Sequence, residues 1–205
     1  MFTRSPDHAI LPLFGVIKSL SRDKYMVHEE VTRLLQYIKN HRGASSRDYY
    51  TLFRFLAETG VRVQAAMGMR LMDLVESPGG LPRIRVRWLK KRGAPAEQEI
   101  MVSEDLARLI RRQAKGRKSD RRLWTMTDRA ARYAFSKYCD GAGLRIYSPK
   151  ALRHYHLLQF YKASGNDIRL TQERAGHASI VTTTVYLATA DEGVSAALAE
   201  IPPLP

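Results

Sequence analysis

Ser148-Pro149-Lys150-Ala151-Leu152-Arg153-His154 and Gly176-His177-Ala178-Ser179-Ile180-Val181-Thr182-Thr183-Thr184-Val185-Tyr186 are the stretches that decide how this chain reads. The first supplies an arginine. The second supplies a histidine and, nine residues later, a tyrosine. Arginine presents a planar fork of donors that matches phosphate oxygens. Histidine donates to a charged oxygen or moves a proton near neutral pH. Tyrosine becomes a covalent nucleophile once its hydroxyl is activated. Arg153, His177 and Tyr186 together can therefore make a phosphodiester-cleaving site.

The charge of the whole chain points to the owner of that phosphodiester. In 205 residues, 34 lysines and arginines face 20 acids, a formal charge of +14. Such a surface favours a polyanion, here a nucleic acid. A hydrophobic content of 44% is ordinary for a globular domain with a real core. One cysteine, Cys139, excludes an intrachain disulfide and a multi-cysteine zinc site. This suits a reducing compartment, and the expected location is cytoplasmic and nucleoid-associated. No apolar run nears the roughly 20 residues of a membrane span. Pro12, Gly15 and Lys18 interrupt the stretch from His8 to Leu20, so no signal peptide is expected.

Periodicity gives the outline. Val31, Leu34, Leu35 and Ile38 recur at helical spacing in His28–Asn40. Helices are also expected over Asp48–Thr59, broken at Thr59-Gly60, and over Arg62–Arg70. Ile84, Val86 and Trp88 alternate with Arg85 and Arg87, as in a half-buried strand, with a return strand over Glu97–Val102. Ser103 is a cap for a helix over Glu104–Lys115. Further helices are expected over Asp128–Ala142, Leu152–Ser164 and Leu170–Ala175, with a short one over Val181–Thr189 carrying Tyr186. The sum is a mainly α domain with a small antiparallel β-sheet. Residues 1–25 read as an appendage or linker, 26–191 as the catalytic domain and 192–205 as a tail.

At this point the chain resembles the catalytic domain of tyrosine recombinases, the phage integrase family, from about Val27 to Asp191. Thr59-Gly60-Val61-Arg62 is similar to the family's Thr-Gly-x-Arg box, with Met69 and Asp73 at its later hydrophobic and acidic positions. Leu89-Lys90-Lys91 falls where the family has its β-hairpin lysine. Leu152-Arg153-His154 resembles the second arginine box, and Gly176-His177 with Tyr186 matches the spacing of histidine and nucleophile.

The resemblance assigns roles. Arg62 and Arg153 clamp the nonbridging oxygens of the transition state. His177 donates a further hydrogen bond or helps to deprotonate Tyr186. Tyr186 attacks, leaving a 3′-phosphotyrosine and a free 5′-hydroxyl, and Lys90, with Lys91 second, protonates the leaving oxygen. The bond energy is kept in the covalent intermediate, so neither metal nor ATP is expected. Lys150 stands where the family usually has histidine, and keeps a positive donor there. Ala65 replaces a frequent acidic residue, which loosens the orientation of a neighbouring cation. Only about 25 residues precede the catalytic region, so either an N-terminal DNA-clamping domain has been removed or the chain belongs with the short recombinases that resemble fimbrial-type DNA invertases.

The implied function is site-specific recombination of a mobile element's double-stranded DNA through a Holliday junction. It would be carried out by a homo-tetramer on DNA that need not persist in solution, with an accessory DNA-bending protein as a candidate partner. The segment after Tyr186 would exchange between protomers. Arg111, Arg112, Lys115, Arg117, Lys118, Lys91 and His154 are candidate DNA contacts, which position the protein without reading sequence. Base readout is expected from helices near Arg62–Arg70 and Ala130–Lys137. Two rivals stand beside this reading. One is a strand transferase acting on a single duplex, such as a topoisomerase or relaxase-like nickase. The other is a DNA-binding regulator with the same fold and little turnover. Each residue also has an ordinary role open to it: Arg62 as a helix-surface charge, Arg153 in an ion pair, His177 as a cap, Tyr186 in the core, and the lysines as solvated charges.

Overall fold

A computed structural model describes residues 25–77, 79–88 and 96–176. Its elements run α1 (His28–Asn40), α2 (Ser46–Thr59), α3 (Val63–Met67), a 3-10 turn (Leu71–Asp73), β1 (Leu74–Val75), β2 (Arg83–Trp88), β3 (Ala96–Met101), α4 (Glu104–Ala114), α5 (Asp128–Gly141), α6 (Lys150–Ala163) and α7 (Ile168–Ala175).

Helix α2 is the axis of the domain. Leu52, Phe53, Phe55 and Leu56 are all buried, so the second half of the helix is covered except along the partly exposed Arg54 and Glu58. It packs against α1, α4 and α6. Phe53 meets Phe135 of α5 edge-on at 5.0 Å between ring centroids, and Phe55 meets Trp124 at 5.7 Å. Val31, Leu34 and Ile38 of α1 face this core, as their spacing predicts. Glu30 accepts a hydrogen bond from the Val27 amide at 3.0 Å and fixes the start of α1.

The expected helix over Arg62–Arg70 is shorter than its sequence suggests. It stops at Met67, before Gly68. The Asp73 carboxylate then accepts from the Arg70 amide at 2.8 Å and restarts the chain as a 3-10 turn. Asp73 is fully buried and also receives Arg87 at 3.0 Å, which ties this turn to the sheet.

The sheet is antiparallel in the order β1-β2-β3. Ile84 lies opposite Ile100, and both are buried. Arg85 lies opposite Glu99 and Arg87 opposite Glu97, so the other face is a lattice of cross-strand ion pairs. The return strand begins at Ala96, one residue before the expected start. Strand β1 is an addition: two residues, Leu74 and Val75, are too few to show an alternation.

Ser103 caps α4 as expected, accepting from the Leu106 amide at 3.2 Å. Thr127 does the same for α5. Helices α6 and α7 begin two residues earlier than their patterns indicate. Asp167 caps α7 by accepting from the Arg169 and Leu170 amides. The expected helix over Val181–Thr189, most of the N-terminal appendage and the C-terminal tail lie outside the described residues. No described helix is long and apolar enough to cross a membrane.

Candidate active site

The site is built on the end of α2. Gly60 closes that helix in the left-handed conformation, at φ +67°, and its amide donates to the Leu56 carbonyl at 2.9 Å. A second constraint acts on the same residue. A Cβ on Gly60 would lie 2.5 Å from the His156 ring, so the close approach of α6 needs glycine there. Past this turn the chain exposes Arg62 at the entrance to α3.

Helix α6 brings the second arginine beneath it. Arg153 is 3% exposed. It donates to the Gly60 carbonyl at 2.6 Å and to the Ala175 carbonyl at 2.8 Å. One guanidinium thus joins the Thr-Gly-x-Arg box to the last residue of α7, although 93 and 22 residues of chain separate the partners. Such charge-assisted bonds hold the fork in a fixed plane.

Arg62, Arg132, Lys150 and Arg153 together line a cavity of about 160 Å³, with Val61, Val63, Gln64 and Pro149 completing it. No carboxylate is among the lining residues described. Three of these cations are the sequence-predicted ones. Arg132 is the one the sequence reading missed. It sits on α5, held by its Nε–H between the two Asp128 oxygens at 3.1 Å each. The four-residue spacing of Asp128 and Arg132 on a helix was the available signal.

The remaining predicted residues divide. Lys90, Lys91, His177 and Tyr186 lie outside the described residues. His154 is buried on α6, as its neighbour Arg153 is. The basic stretch from Arg108 to Arg122 is not one face. Arg111 is engaged by Glu76. Arg112 lines a separate cavity of about 580 Å³ at the opposite end of α2. Lys115 is exposed just past the end of α4. Arg117 donates to the Leu123 and Arg122 carbonyls and so braces a loop. Among the described residues of the predicted set, only Arg117 and Lys118 face a broad basin of about 990 Å³, shared with Arg70, Arg121, Arg122 and the start of α5.

His156, next to the arginine box, is held neutral. Burial comes first, then the charges of Arg174 and Arg153, and together they push its pKa down to about 3. Its Nε2 accepts from Arg174 Nε at 3.1 Å. Arginine cannot accept a hydrogen bond, so the ring proton belongs on Nδ1. Burial also lowers the pKa of Arg174, partly offset by Glu58.

Among the described residues no three histidines, cysteines or acids gather as metal ligands. The arrangement can bind one anionic group in a small cavity with four donors around it.

The sequence profile of the phage integrase family matches residues 24–192, most of the chain. The chain belongs to the phage integrase family. The tyrosine recombinase XerD of Corynebacterium glutamicum is 34% identical over 147 residues, which cover 66% of this chain and 46% of that protein. The tyrosine recombinase XerC of Listeria monocytogenes is 29% identical over 172 residues, 80% of this chain and 57% of that protein. The chain thus spans about half the length of the curated relatives it matches. Among solved structures, XerA recombinase superposes with a TM-score of 0.71 at 20% identity, over 92% of this chain and 67% of that one. The catalytic domain of bacteriophage HP1 integrase gives 0.62 at 19%, over 87% and 95%. The fold is the tyrosine recombinase catalytic-domain fold, mainly helical with its small antiparallel sheet.

Proposed function

We propose that this chain is a site-specific DNA recombinase that cuts and rejoins DNA through a tyrosine-linked intermediate. The observation that carries the reading is the convergence of Arg62, Lys150 and Arg153, from two distant boxes, on one 160 Å³ cavity. The XerC and XerD relatives support it, as does a structural neighbour described as XerH site-specific recombinase bound to palindromic difH substrate in a post-cleavage complex.

The chemistry follows from the donors. A phosphodiester carries one negative charge, and attack concentrates more charge on its nonbridging oxygens. Arg62 and Arg153 face those oxygens, with Arg132 and Lys150 adding donors at the rim. The Tyr186 oxygen forms a bond to phosphorus as the bond to the 5′-oxygen breaks. The phenolic proton leaves with help from His177, and the 5′-oxygen takes a proton from Lys90. A free tyrosine has a pKa of about 10, so the cations around the cavity favour its ionised form. Rejoining reverses the step with the 5′-hydroxyl of another strand. The balance closes without metal or nucleotide.

The basin lined by Arg70, Arg117, Lys118, Arg121 and Arg122, with Asp120 and Asp128 also on its wall, reaches the start of α5, and its excess of positive charge suits the DNA backbone beside the cut. Action on two sites calls for four protomers on DNA, and the cytoplasm, at the nucleoid, is where such DNA is met.

Product analysis tests this. Two labelled duplexes from the gene's own flanks are incubated without metal or ATP. Recombinant duplexes with a four-way junction are the expected products. Only relaxed circles, or only a nicked strand, would replace the recombinase by a single-duplex strand transferase. DNA binding with no broken strand would leave a regulator.

A further inference from the structure

We infer that Arg174 and His156 form a positioning latch that holds the end of α7 in register with the Arg62 turn. The inference rests on the reading above in assigning His177 to the reaction.

Three consecutive residues of α7 are tied down from three directions. Gln98 of β3 donates to the Glu173 carbonyl at 3.2 Å. Arg153 of α6 donates to the Ala175 carbonyl. Between them Arg174 turns inward and stacks on the Phe160 ring, 5.7 Å from its centroid. Its Nε–H donates to His156, and its Nη2 reaches the Glu58 carbonyl at 3.4 Å and the Met101 carbonyl at 3.5 Å. Glu58 lies in the last turn of α2, where carbonyls lack partners within the helix. Arg174 therefore bridges α7 to the end of α2 and to the end of β3.

His156 completes the link. Its ring lies against Gly60 so closely that no Cβ fits, and stacks on Phe160 at 6.2 Å between centroids. A hydrogen bond with the Ala57 backbone fixes the other side of the ring. The path from α7 to the cavity is thus Arg174, His156, Gly60, then Val61 and Arg62. Gly176, the last described residue, then turns at φ +61°. An apolar side chain at 174 would fill space without fixing rotation about the helix axis; a forked donor with three acceptors fixes it.

The test uses the full chain with Arg174→Leu and His156→Phe. His156→Phe keeps a ring against Gly60 but removes both the acceptor for Arg174 and the hydrogen bond with Ala57, so it decides the matter if Arg174→Leu fails to fold. Hydrogen exchange is followed at the amides of 173–176, and the rate of covalent adduct formation is measured on a nicked DNA, with DNA affinity alongside. The latch predicts exchange at least roughly tenfold faster at those amides, and adduct formation slowed about 10- to 100-fold at unchanged DNA affinity. Unaltered exchange in both variants overturns the latch, whatever the wild type does with DNA. Faster exchange with a wild-type adduct rate overturns its positioning role. Wild-type protein that forms no adduct on any DNA counts instead against the functional reading.

Discussion

The arginines of β2 and those gathered at the end of α2 differ in what they face. On the sheet, Arg83, Arg85 and Arg87 look across at Glu97 and Glu99, with Arg85 Nε 2.8 Å from Glu97 and Arg87 Nε 3.1 Å from the same residue. Arg87 also holds the buried Asp73. These cations neutralise one another's partners and stiffen the base of a hairpin. Around the cavity, Arg62, Arg132, Lys150 and Arg153 converge with no acid among the lining residues described. Arg132 keeps its ion pair with Asp128 beside the cavity, while the lining itself gathers four positive side chains where an anion is favoured. The difference separates scaffold from site more sharply than the total charge does.

Substitutions should break the two regions differently. Arg153→Ala has the largest expected effect, because the residue serves both purposes. Two buried carbonyls lose a charged donor, and stability should fall by about 3 kcal/mol or more, read by urea unfolding. Adduct formation should disappear with it. Arg62→Ala should cost about 100- to 1000-fold in adduct rate, while stability changes by less than roughly 0.5 kcal/mol because the side chain is exposed. Equal losses of stability in the two variants would erase the distinction.

The acid range offers a sharper probe of what lies behind the cavity. An unfolded histidine protonates near 6.5, whereas folded His156 resists to about 3. In that window the unfolded state binds more protons, so stability falls as pH drops from 6.5 towards 3 and is fully kept above 6.5. The expected slope from this residue is about 1.4 kcal/mol per pH unit. His156→Phe should flatten it in urea titrations at pH 4 to 7; an unchanged slope would show that His156 is not held neutral. The smallest effect belongs to the sheet. Replacing both Arg85 and Glu99 by alanine should cost less than about 1 kcal/mol and leave the adduct rate nearly unchanged.

Much of this was legible in the chain. The helices of Val31, Leu34 and Ile38, the cap at Ser103 and the alternation of Ile84 and Val86 are local patterns, and local chemistry decided them. Gly60 was legible as a helix stop, but its second reason, the His156 ring against its Cα, joins residues 96 positions apart and has no local signature. Arg132 and Arg174 were missed for the same cause: each matters through what a distant element brings to it. The short α3 shows the reverse case. Its apolar pattern ran on to Arg70, but the helix stops before Gly68 and the Asp73 carboxylate draws the Arg70 amide into the next turn. The basic stretch after Arg108 looked uniform because charge alone does not say which side chains a fold will spend on its own carbonyls and acids.

The most direct test of the account is covalent trapping. Wild type and Tyr186→Phe are mixed with a nicked DNA from the gene's flanks, without metal or ATP, and quenched in SDS. The account predicts a protein–DNA adduct in the wild type that is absent from Tyr186→Phe, although both bind the DNA with the same salt dependence. An adduct that persists in Tyr186→Phe, or salt-sensitive binding by the wild type with no adduct at all, would contradict it.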